Sequence, residues 1–197
     1  MSEVALLSHP RDPTKTELPP PVIPGGRRDL VGLSRDELIA AFAELGEPAF
    51  RARQLWQWIY VRGARSFEGM TNLAKPLRTR LAERFVVARP EVTRHQVSID
   101  GTQKWLIRFL DGQEVECVHI PEEDRGTLCI SAQVGCTLSC RFCYTGTQRL
   151  VRNLEPGEIV AQVMLARDAF CEWPAPSIDR KLTNRSEERR VGKECRL

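Results

Sequence analysis

Three cysteines crowd into one short segment and restrict what this chain can fold into. Cys136, Cys140 and Cys143 follow the spacing C-x3-C-x2-C, with Phe142 directly before the third cysteine. Just ahead of them, residues 127–134 have the alternating character of a short strand. Three thiolates on one tight loop can hold a metal centre that lacks one ligand, and a metal with an open position can bind and activate a second molecule.

Zinc and iron are the metals that such a segment could hold. Structural zinc sites take four ligands, often as two close pairs, and no second C-x2-C pair follows here. Cys171 or Cys195 could complete a zinc site, although neither has close-pair spacing. Three thiolates on a 4Fe–4S cluster leave one iron open, and this spacing with its aromatic residue is the one associated with radical S-adenosylmethionine enzymes. The sequence therefore favours an iron–sulfur site.

Composition indicates an intracellular protein with one large domain or two small ones. The seven cysteines of the 197 residues are an odd number, and neither a signal peptide nor a long apolar run is recognisable. We therefore predict a cytoplasmic protein, without membrane association, that uses cysteine for metal or redox chemistry. The net charge of +3 is mild. Its positive excess lies in residues 26–95, which is compatible with nucleic-acid binding, although most such faces are simply solvated.

The front of the chain is predicted to hold a leader and a small helical domain. Residues 1–26 contain six of the thirteen prolines and are predicted to be a disordered leader. Residues 27–90 are predicted to form three helices, of which the first begins at the capping box of Ser34 and ends at Gly46. The apolar stripes of the three helices are Leu38, Phe42 and Leu45; Ala52, Leu55, Trp56 and Ile59; and Leu73, Leu77, Leu81 and Phe85.

Arginines and aromatic residues are frequent in this helical domain. Arginine can grip phosphates and aromatic rings can stack on unpaired bases, so the domain could engage RNA. In the commoner arrangement the aromatic residues belong to the core and the arginines to the surface. The residues concerned are Trp58 and Tyr60 with Arg51, Arg53, Arg62, Arg65, Arg78, Arg80 and Arg84.

Residues 91–126 are predicted to form β-hairpins, because the apolar period changes from helical to alternating. Asp100-Gly101 and Asp111-Gly112 are strong hairpin turns between the three strand candidates. In the third candidate strand Glu116 shares a face with Val118 and Ile120. A carboxylate on a covered face would have a raised pKa and could act as a base, whereas a glutamate on an exposed strand face is the commoner case.

Residues 127–184 are predicted to begin a (β/α) barrel, so the fold class is α+β in front and α/β behind. Leu128, Ile130, Ala132 and Val134 would face helices, and Thr127, Cys129, Ser131 and Gln133 would face the lumen. The cysteine segment would leave the carboxyl end of this strand, where barrel active sites are built. A helix beginning at Pro156, with Ile159, Val163, Ala166 and Phe170 inward, completes one β-α unit. Only residues 181–184 are recognisable as the approach to a second strand.

Several longer motifs resemble one family, the dual-specificity ribosomal and transfer RNA adenine-C2 methyltransferases. The resemblance covers roughly residues 30–184 and includes the three cysteines. Its motifs are QLWQWIY (54–60), MTNL (70–73), IPEEDRGTLCIS (120–131), QVGC (133–136), TG (145–146), RNL (152–154), GEIV (157–160) and LTN (182–184).

This resemblance implies a mechanism and a role for individual residues. Cys136, Cys140 and Cys143 would hold a 4Fe–4S cluster whose open iron binds S-adenosylmethionine, and Phe142 would pack near the adenine of that cofactor. One electron, from a donor such as flavodoxin, would cleave the cofactor to a deoxyadenosyl radical. A methyl group carried on a late cysteine would then be transferred to C2 of an adenine in 23S rRNA or tRNA.

Two further roles, and an RNA-engaging front domain, are implied by the same resemblance. Glu116 matches the proton acceptor that removes the C2 proton. Cys129 matches the resolving cysteine, which forms a disulfide with the methyl-carrying cysteine to release the product. The protein is expected to act as a monomer.

The end of the chain departs from this family. The Gly-Glu segment that holds the amino end of S-adenosylmethionine and the methyl-carrying cysteine are both expected beyond Asn184, and neither is recognisable here. Residues 185–197 are polar and without periodicity, so the chain is interpreted as a carboxyl-terminally truncated fragment with a non-family tail. Tyr144 is also bulkier than expected after the third cysteine. A non-catalytic iron–sulfur or RNA-binding remnant and the sister adenine-C8 methyltransferases remain the alternatives.

Overall fold

Helices lead and a mixed sheet follows in the computed structural model, which describes residues 22–23, 26–123, 125–136, 147–175 and 180–188. This mixed architecture confirms the predicted fold class. No helix of the described ranges is long and apolar enough to cross a membrane. In chain order the elements are β1 (Val22–Ile23), β2 (Arg27–Asp29), α1 (Arg35–Glu44), α2 (Ala49–Tyr60), α3 (Lys75–Arg84), β3 (Phe85–Val86), β4 (Glu91–Val97), β5 (Gln103–Arg108), β6 (Glu114–Pro121), β7 (Gly126–Ser131), β8 (Gln133–Val134), β9 (Arg152–Asn153), α4 (Pro156–Ala169) and β10 (Asn184–Glu188).

Helix α1 begins and ends as its sequence predicts. Ser34 and Glu37 form the reciprocal capping box, in which each side chain accepts a hydrogen bond from the other residue's backbone N–H. After the helix, Gly46 adopts a φ of +71°. The N–H of Glu47 returns to the carbonyl of Phe42 and that of Gly46 to Ala43, each at 2.9 Å, which is the Schellman arrangement.

The predicted front domain differs from the structure at its edges. Leu73 and Phe85 lie outside α3, although both are buried as predicted. Strands β1, β2 and β3 form a small sheet that the sequence does not predict, because strands of two or three residues are too short to show alternation. Val22–Ile23 pairs with β2, so this sheet begins within the range predicted as leader.

A single hydrophobic core joins the three front helices to α4. Ala161 and Met164 of α4 are buried in this core, at 7% and 2% exposure. The other members are Leu30, Val31, Leu33, Leu38, Ala41, Phe42, Ala52, Leu55, Ile59, Phe67, Met70, Leu73, Leu77, Leu81, Phe85 and Val87.

The second half forms a five-stranded sheet in the order β10-β7-β6-β5-β4. Strands β4 to β7 pair antiparallel, which confirms the two predicted hairpins. Gly101 and Gly112 in their turns have φ near +80°, a region that glycine enters without steric cost. Trp105, Ile107 and Leu128 are among the buried residues on the face that packs against α4.

The β7–α4–β10 segment forms a complete parallel unit. β10 pairs parallel to β7, with Asn184 opposite Thr127 and Ser186 opposite Cys129. Residues 185–188, which were predicted to belong to the tail, therefore continue the second strand to Glu188. The predicted strand 127–134 is also divided, because a bend at Ala132 separates β7 from β8.

Helix α4 is covered on two sides, and this changes the pattern of burial along it. Ala166 is fully buried as predicted, but Ile159 and Val163 are only half-buried. Gln162 is fully buried, and where β7 bends its side-chain amide bonds to the strand's backbone in place of a neighbouring strand. Its amide accepts from the N–H of Ser131 and donates to the carbonyl of Ser131, each at 2.9 Å.

Candidate active site on the open face of the sheet

The face of the sheet turned away from α4 brings two of the predicted site residues together. Val118 of β6 pairs directly with Cys129 of β7. Residues two apart on a strand share a face, so Glu116 and Cys129 lie on the same face of adjacent strands. The strands are also joined at this point because the Ser131 hydroxyl donates to the backbone carbonyl of Glu116 at 2.8 Å.

Glu116 lies exposed on this face. Its side chain is 52% exposed, and Lys104 Nζ of the neighbouring strand β5 donates to its Oε1 at 2.9 Å. The sequence left two positions possible for Glu116, a covered strand face or an exposed one. The structure shows it on the exposed face. The ammonium group orients the carboxylate over the open face without burying it.

Cys117 and Cys129 lie on opposite faces of the sheet, and their thiols differ in burial. Cys117 is fully buried on the covered face, where desolvation, with a smaller contribution from the nearby Cys129, raises the pKa of its thiol to about 12. A thiol of this kind is inert, since the thiolate is the reactive form. Cys129 is half-buried on the open face, which is the more suitable position for a thiol that reacts.

The first cysteine of the cysteine segment is anchored just after β8. Cys136 is 6% exposed, and its backbone N–H donates to the carbonyl of Gln148 at 3.1 Å. Gly135 before it has a φ of +77°, and a Cβ there would stand 2.0 Å from the carbonyl oxygen of Arg149. The remaining predicted site residues, Cys140, Phe142 and Cys143, lie outside the described residues.

Lys104 and Ser131 also contact this site, although neither was predicted to be a site residue; Ser131 ends the motif 120–131 and Lys104 lies in none of the quoted motifs. The position of Lys104 could have been predicted from the sequence. A hairpin that turns at Asp111-Gly112 places β5 beside β6 and Lys104 opposite Val118. No comparable signal marks the Ser131 hydroxyl, since its contact depends on the register of β6 against β7.

The front domain carries a basic groove of about 490 Å³. Its charged lining has four cationic side chains against the single carboxylate of Glu68, and its floor is apolar. The cationic residues are Arg27, Arg65, Lys75 and Arg78, and the apolar ones are Phe67, Ala82, Phe85, Val86 and Val87.

Trp58 and Tyr60 of α2 pack against the front core, whereas Phe50 of the same helix is 46% exposed. Tyr60 packs against the front core, and its hydroxyl accepts from the N–H of Gly32 at 2.8 Å. Trp58 is also half-buried against this core and donates to the side chain of Asn72. Arg80 contacts Glu47 and a helix-end carbonyl. The core-and-surface arrangement is therefore correct for these residues.

Similarity to known proteins defines the class of protein. The crystal structure of a radical SAM methyltransferase from Sphaerobacter thermophilus matches this chain with a TM-score of 0.69 and 41% sequence identity. The match covers 80% of this chain and 45% of that chain. Residues 28–87 match the family model described as "Ribosomal RNA large subunit methyltransferase N-terminal domain".

The curated relatives make the class more specific. The chain is 64% identical over 160 residues to the dual-specificity RNA methyltransferase RlmN of Granulibacter bethesdensis, covering 80% of this chain and 40% of that protein. It is 63% identical over 156 residues to RlmN of Gluconobacter oxydans, covering 78% of this chain and 38% of that protein. The resemblance to the dual-specificity RNA methyltransferases is therefore confirmed, and the chain spans about 40% of the length of the first of these relatives.

Proposed function

We propose that this chain is the cluster-binding and RNA-engaging part of a radical SAM methyltransferase that modifies C2 of an adenine in 23S rRNA and in tRNA. The observation that carries the proposal is the shared open face of Glu116 and Cys129. The cysteine segment begins just after β8, which follows β7 beyond the bend at Ala132, in a chain with close RNA methyltransferase relatives.

The donor set fits an iron–sulfur cluster. Cys136, Cys140 and Cys143 offer three thiols within eight residues, and the first is buried where the segment leaves the sheet. Burial suits a cluster, because the potential of the cluster depends on the exclusion of solvent. When bound, such a cluster supplies the electron that cleaves S-adenosylmethionine to a deoxyadenosyl radical, and Phe142 would pack against the adenine of that cofactor.

Glu116 and Cys129 have separate tasks on the open face. An exposed carboxylate oriented by Lys104 can reach a base that enters from solvent, and Glu116 is assigned the removal of the C2 proton. Cys129 is assigned as the resolving cysteine, which forms a transient disulfide with a methyl-carrying cysteine and so releases the methylated RNA. Both tasks need access from the open face, and the covered face would deny it.

The basic groove of the front domain supports RNA as the partner. Arg27, Arg65, Lys75 and Arg78 together present a positive rim suited to phosphates, and the apolar floor suits a base or a ribose. A flavodoxin-like electron donor, a monomeric state and a cytoplasmic location belong to the same proposal.

Anaerobic reconstitution of the chain tests the cluster. We expect roughly four irons and four sulfides per chain, and we expect 5′-deoxyadenosine when the reduced protein meets S-adenosylmethionine. Cys136→Ala should abolish both, whereas Cys171→Ala, an exposed cysteine outside the segment, should change neither. One zinc per chain without sulfide would contradict the proposal.

Methyl transfer is tested in a chimera that supplies the expected methyl-carrying cysteine. Residues 1–184 are joined to the carboxyl-terminal part of the Granulibacter bethesdensis relative, and the product nucleoside is identified by mass spectrometry. We expect 2-methyladenosine, lost in Glu116→Gln by at least about a hundredfold and kept in Glu114→Gln, which alters a carboxylate on the same strand. The Cys129→Ala chimera should accumulate a protein–RNA crosslink. Production of 8-methyladenosine would instead favour the sister family, and a loaded chimera that modifies no RNA would favour the non-catalytic remnant.

A further inference from the structure

We use the name cysteine segment here for residues 136–148, which contain the three cysteines; Cys136 and Gln148 at its two ends are held together beside a small antiparallel ribbon. We call this ribbon the clasp; it consists of β8 and β9, which pair Gln133 with Asn153 and Val134 with Arg152. Cys136 follows one strand of the clasp, and the other strand lies beyond the end of the segment. The segment is therefore closed at its base by residues that the structure describes.

Hydrogen bonds secure the clasp along its whole length. Besides the bond from Cys136 to Gln148, the N–H of Val151 donates to the carbonyl of Val134 at 2.9 Å, and that of Leu154 to Ala132 at 2.9 Å. The side chains add a bond from Gln133 Nε2 to Asn153 Oδ1 at 2.8 Å. A two-stranded ribbon of this length is marginal by itself, so its geometry depends on what anchors it.

Arg152 supplies that anchor with all three arms of its guanidinium. Nη1 and Nη2 donate to the two carboxylate oxygens of Glu158 at 2.7 and 2.8 Å. Nε donates to Asp111 Oδ2 at 2.7 Å. Glu158 lies in the first turn of α4 and Asp111 in the turn between β5 and β6, so one side chain ties the clasp to both neighbouring layers.

The anchor is stronger than an ordinary surface ion pair. The Arg152 side chain is only 29% exposed and that of Glu158 only 16%. Planar bidentate pairing adds geometric specificity, which lysine cannot reproduce. The hydrogen bond from Arg152 also holds the pKa of Asp111 below its ordinary value, so this arm persists throughout the neutral range.

We propose that Arg152 is a positioning residue for the iron–sulfur site, because it fixes the clasp and thereby holds the two ends of the cysteine segment at a constant separation. The inference rests on the proposed cluster. A segment whose ends are already joined loses less conformational entropy when its thiolates bind a common centre. Residues that orient metal ligands from outside typically change metal retention by about tenfold to a hundredfold when they are replaced.

The test is the rate at which the reconstituted chain loses iron to a ferrous chelator under anaerobic conditions. Arg152→Met should accelerate iron loss by about tenfold, and Arg152→Lys should recover only part of the difference. Asp111→Asn removes the negative charge of one arm on the exposed side of the clasp and should give a smaller acceleration, which keeps the test informative if Arg152→Met folds poorly.

Two controls separate positioning from general stability. Arg80→Met removes an arginine of the front domain that contacts Glu47 and the carbonyl of Leu45. Leu77→Ala lowers the stability of the front core. We expect iron loss at the wild-type rate in both controls at a temperature where each variant is folded.

The outcomes distinguish failure of the proposed role of Arg152 from failure of the proposed iron–sulfur cluster. A wild-type chain that takes up no cluster overturns both. A cluster that forms and is lost equally fast from wild type, Arg152→Met and Asp111→Asn overturns the role of Arg152 alone. Acceleration in Leu77→Ala as large as in Arg152→Met would also overturn it, since general stability would then explain the effect.

Discussion

The two faces of the five-stranded sheet differ in what covers them, although the same strands supply both. On the covered face Trp105, Ile107, Cys117 and Leu128 are at most 2% exposed. On the open face Glu116 is exposed, and Leu106, Val118 and Cys129 are half-buried. Strand β6 alone therefore provides an inert buried thiol and, one residue earlier, the proposed catalytic carboxylate.

The comparison indicates that the covered face contributes most of the sheet's stability, whereas the open face carries the proposed reactive groups. Apolar area removed from water stabilises the covered face, because α4 lies against it. Exposed ion pairs such as Lys104–Glu116 contribute little, because solvent screens them. The open face can therefore carry polar and reactive groups at small cost to folding.

The largest expected effect comes from shortening a leucine on the covered face. Leu128→Ala should lower the free energy of unfolding by about 2–5 kcal/mol, because it removes buried methyl groups and leaves a cavity. Leu128 is 1% exposed, whereas Leu106 is half-buried on the open face. Leu106→Ala should cost about 1 kcal/mol. Equal losses for the two variants in denaturant titrations would remove the distinction between the faces.

An intermediate effect is expected where α4 completes β7. Gln162→Leu keeps the volume but leaves the buried N–H and carbonyl of Ser131 without their side-chain partner. Each unsatisfied buried backbone group costs about 1–3 kcal/mol, so a loss of at least about 2 kcal/mol is expected.

Hydrogen exchange locates that effect. The amide of Ser131 should exchange faster in Gln162→Leu, while Gln103→Leu on half-exposed β5 should stay within about 0.5 kcal/mol of wild type. Unchanged protection at Ser131 would show that the bend in β7 is held by something other than Gln162.

The smallest expected effect comes from the ion pair of the open face. Glu116→Gln and Lys104→Met should each change the free energy of unfolding by about 1 kcal/mol or less, because both side chains are more than 40% exposed. Thermal unfolding of both variants beside wild type measures this. A loss above about 2 kcal/mol would give the pair a structural role and weaken the assignment of Glu116 to chemistry.

Local signals allowed much of the fold to be predicted. The capping box at Ser34 and the turns at Gly101 and Gly112 depend on residues within a few positions of one another, and each forms as expected. The hairpins also determine which residues share a face, since side chains alternate along a strand. This alternation predicts that Glu116 shares a face with Val118 and Ile120. It leaves undetermined whether that face is covered or exposed.

Contacts between distant segments could not be predicted in this way. β10 needs the parallel edge of β7, which lies more than fifty residues earlier in the chain. The second covered side of α4 exists only because the front helices pack there. Nothing in the sequence indicates that the partners of Arg152 are Asp111 and Glu158.

The sequence by itself predicted a metal site, because three thiols stand at a fixed spacing within a few residues of one another. The roles of Glu116 and Cys129 are what the resemblance to a known family implies. Only the tertiary structure decided which face of the sheet is open, and what holds the ends of the cysteine segment. Burial and register depend on which distant elements pack together, and the pattern within a single strand leaves that choice undetermined.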